Sequence, residues 1–96
     1  MKLVLFLHAG PAGDRLHRVA ETLGIAAHTD LGVIHGAGAS GRHEGSRAFP
    51  GDGHAMFAVV DDRAAQELIP GVQRIRDSLP AGERLHAFVL PVEQSL

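Results

Sequence analysis

Apolar residues follow one another along the chain in two patterns, and these predict strands and helices. Short continuous apolar runs that end at Gly or Pro are typical of buried strands, whereas apolar residues three and four apart are typical of amphipathic helices. Strands are predicted near residues 2–8, 27–35, 54–60 and 84–91, and helices near residues 14–23 and 63–79. The strand at 27–35 is the weakest of the four because Gly32 interrupts it.

Both predicted helices have apolar stripes and recognisable ends. The stripes are Leu16, Val19, Ala20 and Leu23 in the first helix, and Ala65, Leu68, Ile69, Val72, Ile75 and Leu79 in the second. Asp14 is placed to cap the start of the first helix and Gly24 to end it, while Asp61 or Asp62 can cap the second. Pro70 has no backbone N–H, so we expect it to kink or split the second helix.

The order of these elements predicts an α+β fold, the ferredoxin-like βαββαβ sandwich, in which an antiparallel sheet has two helices on one face. A chain of 96 residues is expected to form one such domain, spanning residues 1–96. The first, third and fourth strands are apolar at consecutive positions, so the face without helices should also be apolar. Further copies of the chain are the expected cover, in a homotrimer, with a dimer as the alternative.

The composition excludes several classes of function. Nine Lys and Arg against eleven Asp and Glu give a formal net charge of −2, which provides no basic surface for nucleic acid. The chain has no Cys, which excludes disulfides, thiolate metal sites and cysteine nucleophiles. Because the longest apolar run, Leu3 to Leu7, is too short to span a membrane, we expect no membrane insertion and a cytoplasmic location.

A glycine-rich loop over residues 36–53 joins the second and third strands, and a loop of this length usually has a function. Successive glycines can turn several backbone N–H groups toward one anion, and Arg side chains can pair with that anion. The candidate ligand-binding residues are Gly36, Gly38, Gly41, Arg42 and Arg47. Without a ligand, the segment 37–47 is expected to be the most mobile part of the chain.

Histidines in and beside this loop offer a second kind of site. His43, Glu44 and His54 supply two imidazoles and a carboxylate, which are enough to hold Zn²⁺, Ni²⁺ or Cu²⁺. His8 and His35 end the first two strands, and the predicted topology can bring them together. No nucleophile with an obvious base stands out in the sequence, so an enzyme is not expected.

Three short segments resemble the PII-like signalling superfamily. They are residues 33–38, Val-Ile-His-Gly-Ala-Gly, residues 58–62, Ala-Val-Val-Asp-Asp, and residues 87–93, Ala-Phe-Val-Leu-Pro-Val-Glu. Nucleotide-binding members of that superfamily have Gly-Asp-Gly-Lys just before the last strand, where this chain has Glu83-Arg84-Leu85-His86. The chain therefore resembles the compact, divergent PII-like proteins, and it is distantly similar to the CutA group.

The resemblance implies a homotrimeric regulatory protein with a small anionic or nucleotide-like ligand in the clefts between its subunits. Such a protein reports the ligand to a regulated partner protein through its large loop. The alternative is a CutA-like protein that binds a divalent metal through its loop histidines. A metal titration on the protein and on the His43→Ala variant separates these two hypotheses.

Overall fold

The computed structural model describes residues 1–36 and 53–96, and the six elements follow one another in the predicted order. The helices are α1 (Arg15–Leu23) and α2 (Asp62–Ser78), and the strands are β1 (Lys2–Ala9), β2 (Thr29–Ile34), β3 (Gly53–Val60) and β4 (Arg84–Pro91). All four strands belong to one antiparallel sheet with the order β2-β3-β1-β4. This is the ferredoxin-like α+β arrangement, as predicted.

The register of the sheet assigns each strand residue to one of two faces. Phe6 lies opposite Met56 on β3 and opposite Ala87 on β4, and all three side chains therefore point to the same side. This is the helix-covered face, because Phe6 and Met56 belong to the core cluster that also contains residues of both helices. The neighbours of Phe6 on β1, Leu5 and Leu7, point to the opposite face.

A single apolar core fills the space between this face and the two helices. Its buried members are Val4, Phe6, Leu16, Val19, Ala20, Met56, Ala65, Val72 and Leu85. The predicted stripe of α1 is confirmed, with Leu23 packed at the edge of the core. The predicted stripe of α2 is wrong at Ile69, which is 47% exposed and does not belong to the core. Ile69 directly follows Leu68 and so lies at the margin of the apolar stripe, where a helix turns toward solvent.

The two helix starts use their aspartates differently. Asp61 caps α2, because its carboxylate accepts a hydrogen bond of 2.7 Å from the backbone N–H of Ala64. Asp14 occupies the N-cap position of α1 but makes no side-chain cap hydrogen bond. Its carboxylate pairs with Arg18 one turn later, at 3.1 Å. The predicted position of the α1 cap is therefore confirmed, but not its hydrogen bond.

Pro70 does not split α2, which runs as one helix from Asp62 to Ser78, and the prediction of a split is wrong. The next residue, Gly71, is buried where α2 approaches α1. A Cβ added at Gly71 would lie 2.5 Å from a methyl carbon of Leu23. The helices therefore approach closely at this point because position 71 has no side chain.

The second face of the sheet is apolar, as predicted, and it is not covered by either helix. Val59, Phe88 and Leu90 point to this side and are 48%, 50% and 44% exposed. Leu3, Leu5, Leu7 and Phe57 contribute further half-buried apolar side chains to the same side. We call this surface the open face. Within residues 1–36 and 53–96, neither helix combines the length and the apolar character needed to cross a membrane.

Candidate functional site

Ionisable side chains from several elements lie at one end of the sheet, the end that borders residues 37–52. In the register, Ile34 lies opposite Gly53, Gly53 opposite Ala9, and Ala9 opposite Arg84. We call this the loop end of the sheet. A buried ionic cluster lies here on the helix-covered side, and a small cavity lies on the open face.

The ionic cluster joins three elements around the carboxylate of Glu83. Arg15, the first residue of α1, donates from Nε to Glu83 Oε1 at 2.8 Å and from Nη2 to Glu83 Oε2 at 2.9 Å. The ring Nε2 of His8, near the end of β1, lies 3.0 Å from Glu83 Oε1. The His8 side chain is fully buried and that of Glu83 is 5% exposed. The fork of Arg15 thus holds a buried carboxylate in place against a buried imidazole.

The contacts within the ionic cluster keep Glu83 ionised and determine which ring nitrogen of His8 donates to it. The hydrogen bonds from Arg15 outweigh burial and lower the pKa of Glu83 from 4.5 to about 2, so Glu83 is ionised at neutral pH. The same contact raises the pKa of Arg15. An ionised carboxylate can only accept hydrogen bonds, so Nε2 of His8 must carry the proton in the bond to Glu83. In the neutral ring, Nδ1 of His8 therefore keeps a free lone pair.

A tight backbone contact supports the ionic cluster. Gly10 follows β1 with a φ of +132°, a conformation that glycine adopts readily and other residues rarely do. A Cβ at Gly10 would lie 2.9 Å from Glu83 Cγ and 3.0 Å from the carbonyl oxygen of Gly82. The loop after β1 therefore packs directly on the loop before β4. This packing positions Glu83 beside His8.

His54 lies directly opposite His8, on β3, and on the same face of the sheet. The centroids of the two rings are 6.5 Å apart and the ring planes are inclined by 35°. The Nδ1 atoms of both rings are buried, and neither has a hydrogen-bond partner among the described residues. The other edge of the His54 ring faces Gly13, whose absent Cβ would lie 3.8 Å from Cε1 of His54.

Two small cavities lie next to the ionic cluster and share the side chains of Arg84 and His86. The first, about 220 Å³, opens on the open face and is lined by Leu7, His8, Ala9, Ile34, His35, Gly36, Arg84 and His86. The second, about 150 Å³, lies between α2 and β4 and is lined by Arg76, Leu79, Glu83, Arg84, Leu85 and His86. The lining of the first cavity is mostly apolar, whereas the second is the more polar and has the size of a small anion, with Arg76, Arg84 and His86 among its lining residues.

Of the candidate site residues, the structure describes only Gly36 and His54. Gly36 lines the first cavity, and His54 faces His8. The other candidates, Gly38, Gly41, Arg42, His43, Glu44 and Arg47, and the predicted mobile segment 37–47, lie outside the described residues. Among residues 1–36 and 53–96, no three His, Asp or Glu side chains form a group that could hold a metal ion. His8 and His35 line the same cavity, in agreement with their predicted proximity.

Sequence analysis missed the partnership of Glu83 with Arg15 and His8, because 68 and 75 positions separate the partners. The predicted topology contained a usable signal. In the ferredoxin-like order the first and last strands are antiparallel neighbours, so the end of β1 must lie beside the start of β4. A histidine and a glutamate at those two ends could have been paired on that basis.

No protein-family model matches this chain, and a search of curated proteins gives no significant match either. The structure and the site chemistry are therefore the grounds for a functional proposal.

Proposed function

We propose that the chain is a PII-like regulatory protein that forms a homotrimer and binds a small anionic ligand in clefts between its subunits. The observation that carries the proposal is the uncovered apolar sheet face, because it gives the fold a reason to assemble. Ligand binding at the loop end would then alter the adjoining segment 37–52, and this change would be reported to a regulated partner protein.

The chemistry of the open face favours further copies of the same chain as its cover. Val59 on β3 and Leu90 on β4 lie on either side of Leu3 on the central strand β1, and together with Phe88 they form one apolar patch. Such a patch is costly in water and marks an interaction surface. An apolar surface is complementary to itself, because its packing requires no matching charges, so related copies can bury it by symmetry. A chain of this size also gains a large fraction of its buried area by assembling.

Size-exclusion chromatography with light scattering is expected to give a mass near 30 kDa, three times the 10.1 kDa of the chain. The substitution Phe88→Asp places a charge on the open face, at its most exposed apolar side chain on β4, and is expected to shift the mass toward that of one chain. The matched control is Ile69→Asp, since Ile69 is equally apolar and 47% exposed but lies on α2, away from this face. The control is expected to keep the wild-type mass.

A stable 10 kDa monomer at micromolar concentration would contradict the trimer, as would equal effects of the two substitutions. A mass near two chains would replace the trimer with a dimer across the same face.

The ligand class follows from the side chains at the loop end. Arg84 lines both cavities, Arg76 adds a second guanidinium, and the imidazoles of His35 and His86 stand beside them. Guanidinium groups bind carboxylate and phosphate oxygens in a fork geometry. The more polar cavity, about 150 Å³, accommodates a small oxyanion or the phosphate end of a nucleotide, whose remainder would contact the neighbouring subunit. The candidate loop residues Gly36, Gly38, Gly41, Arg42 and Arg47 are proposed as further ligand-binding residues.

Calorimetric titration with a panel of phosphate, bicarbonate, AMP and ATP is expected to identify a ligand that the Arg84→Ala variant binds at least about tenfold more weakly. The matched control is Arg63→Ala, because Arg63 is exposed on α2 and, within the described part of the chain, pairs with Glu67 one turn away. The control should bind like the wild type. If none of the four compounds binds, or if both variants lose affinity equally, the proposed anion site is wrong.

A further inference from the structure

We propose that His8 and His54 form a transition-metal site at their buried Nδ1 atoms, with Glu83 as the carboxylate that orients His8. His8 and Glu83 also border the two cavities, but His8 and His54 project to the helix-covered face of the sheet, and the proposal does not depend on the proposed regulatory function. It shares His54 with the predicted site of His43, Glu44 and His54 but replaces the two loop ligands by His8, so that both of its protein ligands are described strand residues.

The first argument is that the buried Nδ1 atoms of His8 and His54 have no hydrogen-bond partner among the described residues. Buried polar atoms are nearly always hydrogen-bonded, so two of them on facing residues require an explanation. His8 cannot satisfy its Nδ1 by changing tautomer, since Nε2 must keep its proton for the ionised Glu83. A metal ion accepts an electron pair from each nitrogen ligand, so one ion would satisfy both rings.

The second argument is the separation of the rings. The ring centroids are 6.5 Å apart and the ring planes are inclined by 35°, so the rings are not in face-to-face contact, and neither Nδ1 has a hydrogen-bond partner among the described residues. Two metal–nitrogen bonds of about 2.0–2.1 Å, together with the radii of the two imidazole rings, span a distance of this order. A shared ion between the rings would therefore bind both Nδ1 atoms once these are turned toward it.

The third argument is the partner on the far side of His8. Histidines that bind metals usually donate their second ring N–H to a carboxylate, which fixes the tautomer and makes the ligand nitrogen more basic. Glu83 does this for His8 at 3.0 Å, and Arg15 holds Glu83 ionised. Imidazole ligands favour Zn²⁺, Cu²⁺ or Ni²⁺, and the remaining coordination positions would be filled by solvent or an exchangeable ligand. The partly exposed ring of His54 beside Gly13 provides the entry path.

The test is a calorimetric titration of the intact chain with Zn²⁺, Ni²⁺ and Cu²⁺. One ion per chain is expected to bind, and both His8→Gln and His54→Gln are expected to weaken binding at least about tenfold, as Glu83→Gln should by about 10–100-fold. The controls His17→Gln and His28→Gln remove exposed histidines and should leave the affinity unchanged. His43→Gln, which removes a loop histidine, should also leave it unchanged.

A measurement on the unmodified protein covers the case in which His8→Gln does not fold. Histidine ring ¹⁵N spectra recorded with and without Zn²⁺ are expected to show a shift of the Nδ1 signal of two rings, those of His8 and His54. The proposal is overturned if no metal binds, if His43→Gln abolishes binding while His54→Gln does not, or if the Nδ1 signals of these two rings do not respond.

Discussion

The substitution Glu83→Ala is expected to lower the free energy of unfolding by about 2–4 kcal/mol, because it leaves Arg15 and the fully buried His8 without their shared partner. Chemical denaturation at a fixed chain concentration measures the change. The matched control is Glu67→Ala, since Glu67 pairs with Arg63 on the exposed surface of α2 and should contribute less than about 0.5 kcal/mol. Equal losses in the two variants would show that the cluster at Glu83 does not stabilise the fold.

The stabilising effect of Glu83 should also depend on pH in a defined direction. Its pKa is about 2 in the folded chain against an ordinary 4.5, so its contribution is fully present above about pH 4.5 and is lost as the pH falls through 2. The expected loss is on the order of 1–3 kcal/mol. Carboxylates in general gain protons in this pH range. The quantity to compare is therefore the difference in the free energy of unfolding between wild type and Glu83→Gln. An unchanged difference between pH 6 and pH 2.5 would argue against an ionised Glu83.

The second large effect is expected at Gly10, where Gly10→Ala should destabilise the fold by about 2–4 kcal/mol. Two causes act together. The φ of +132° is strained for any residue with a side chain, and the new Cβ would press on the backbone of Gly82 and Glu83 at 3.0–3.1 Å. Neither of these backbone positions can move without disturbing the carboxylate of Glu83. Thermal and denaturant unfolding of the purified variant measure the loss.

The control substitution Gly24→Ala shows how much of the effect of Gly10→Ala comes from backbone strain and how much from crowding by neighbouring atoms. Gly24 has a φ of +70° at the end of α1, and a Cβ there would have no neighbour within 4 Å. Its substitution should therefore cost only the conformational strain, about 1 kcal/mol. If Gly10→Ala is no more harmful than Gly24→Ala, then the loops after β1 and before β4 do not pack as closely as described.

The fold could be predicted from sequence because its signals are local and repeated. The stripe of α1 and the stop at Gly24 can each be recognised within one turn of helix. The edge strand β2 was predicted too long, as 27–35 instead of Thr29–Ile34, because it contains an irregularity between Asp30 and Gly32. Gly32 has a φ of +80° there, and its N–H donates to the carboxylate of Asp30. An inserted residue shifts the side-chain alternation, which makes strand ends uncertain.

The site was harder to predict because its members are far apart in sequence. His54 was selected as a metal ligand together with loop residues, yet its described neighbour is His8, across the sheet. Neither Arg15 nor Glu83 was predicted to be a site residue, since a charged residue at the end of a helix or strand is ordinarily a solvated surface group. Their burial results from the close approach of two loops at Gly10, which no local sequence pattern records.

The central position of β1 has a consequence for how the chain is made. It is the first strand to be synthesised, but its two hydrogen-bonding neighbours begin only at Gly53 and Arg84. A nascent chain therefore presents an apolar strand with both edges unpaired until β3 has left the ribosome, and with one edge unpaired until β4 has followed. Folding must wait for contacts between residues far apart in sequence, which slows it relative to a helical protein of this size. During that interval the strand is open to misassociation, and chaperones that bind extended apolar segments would protect it there.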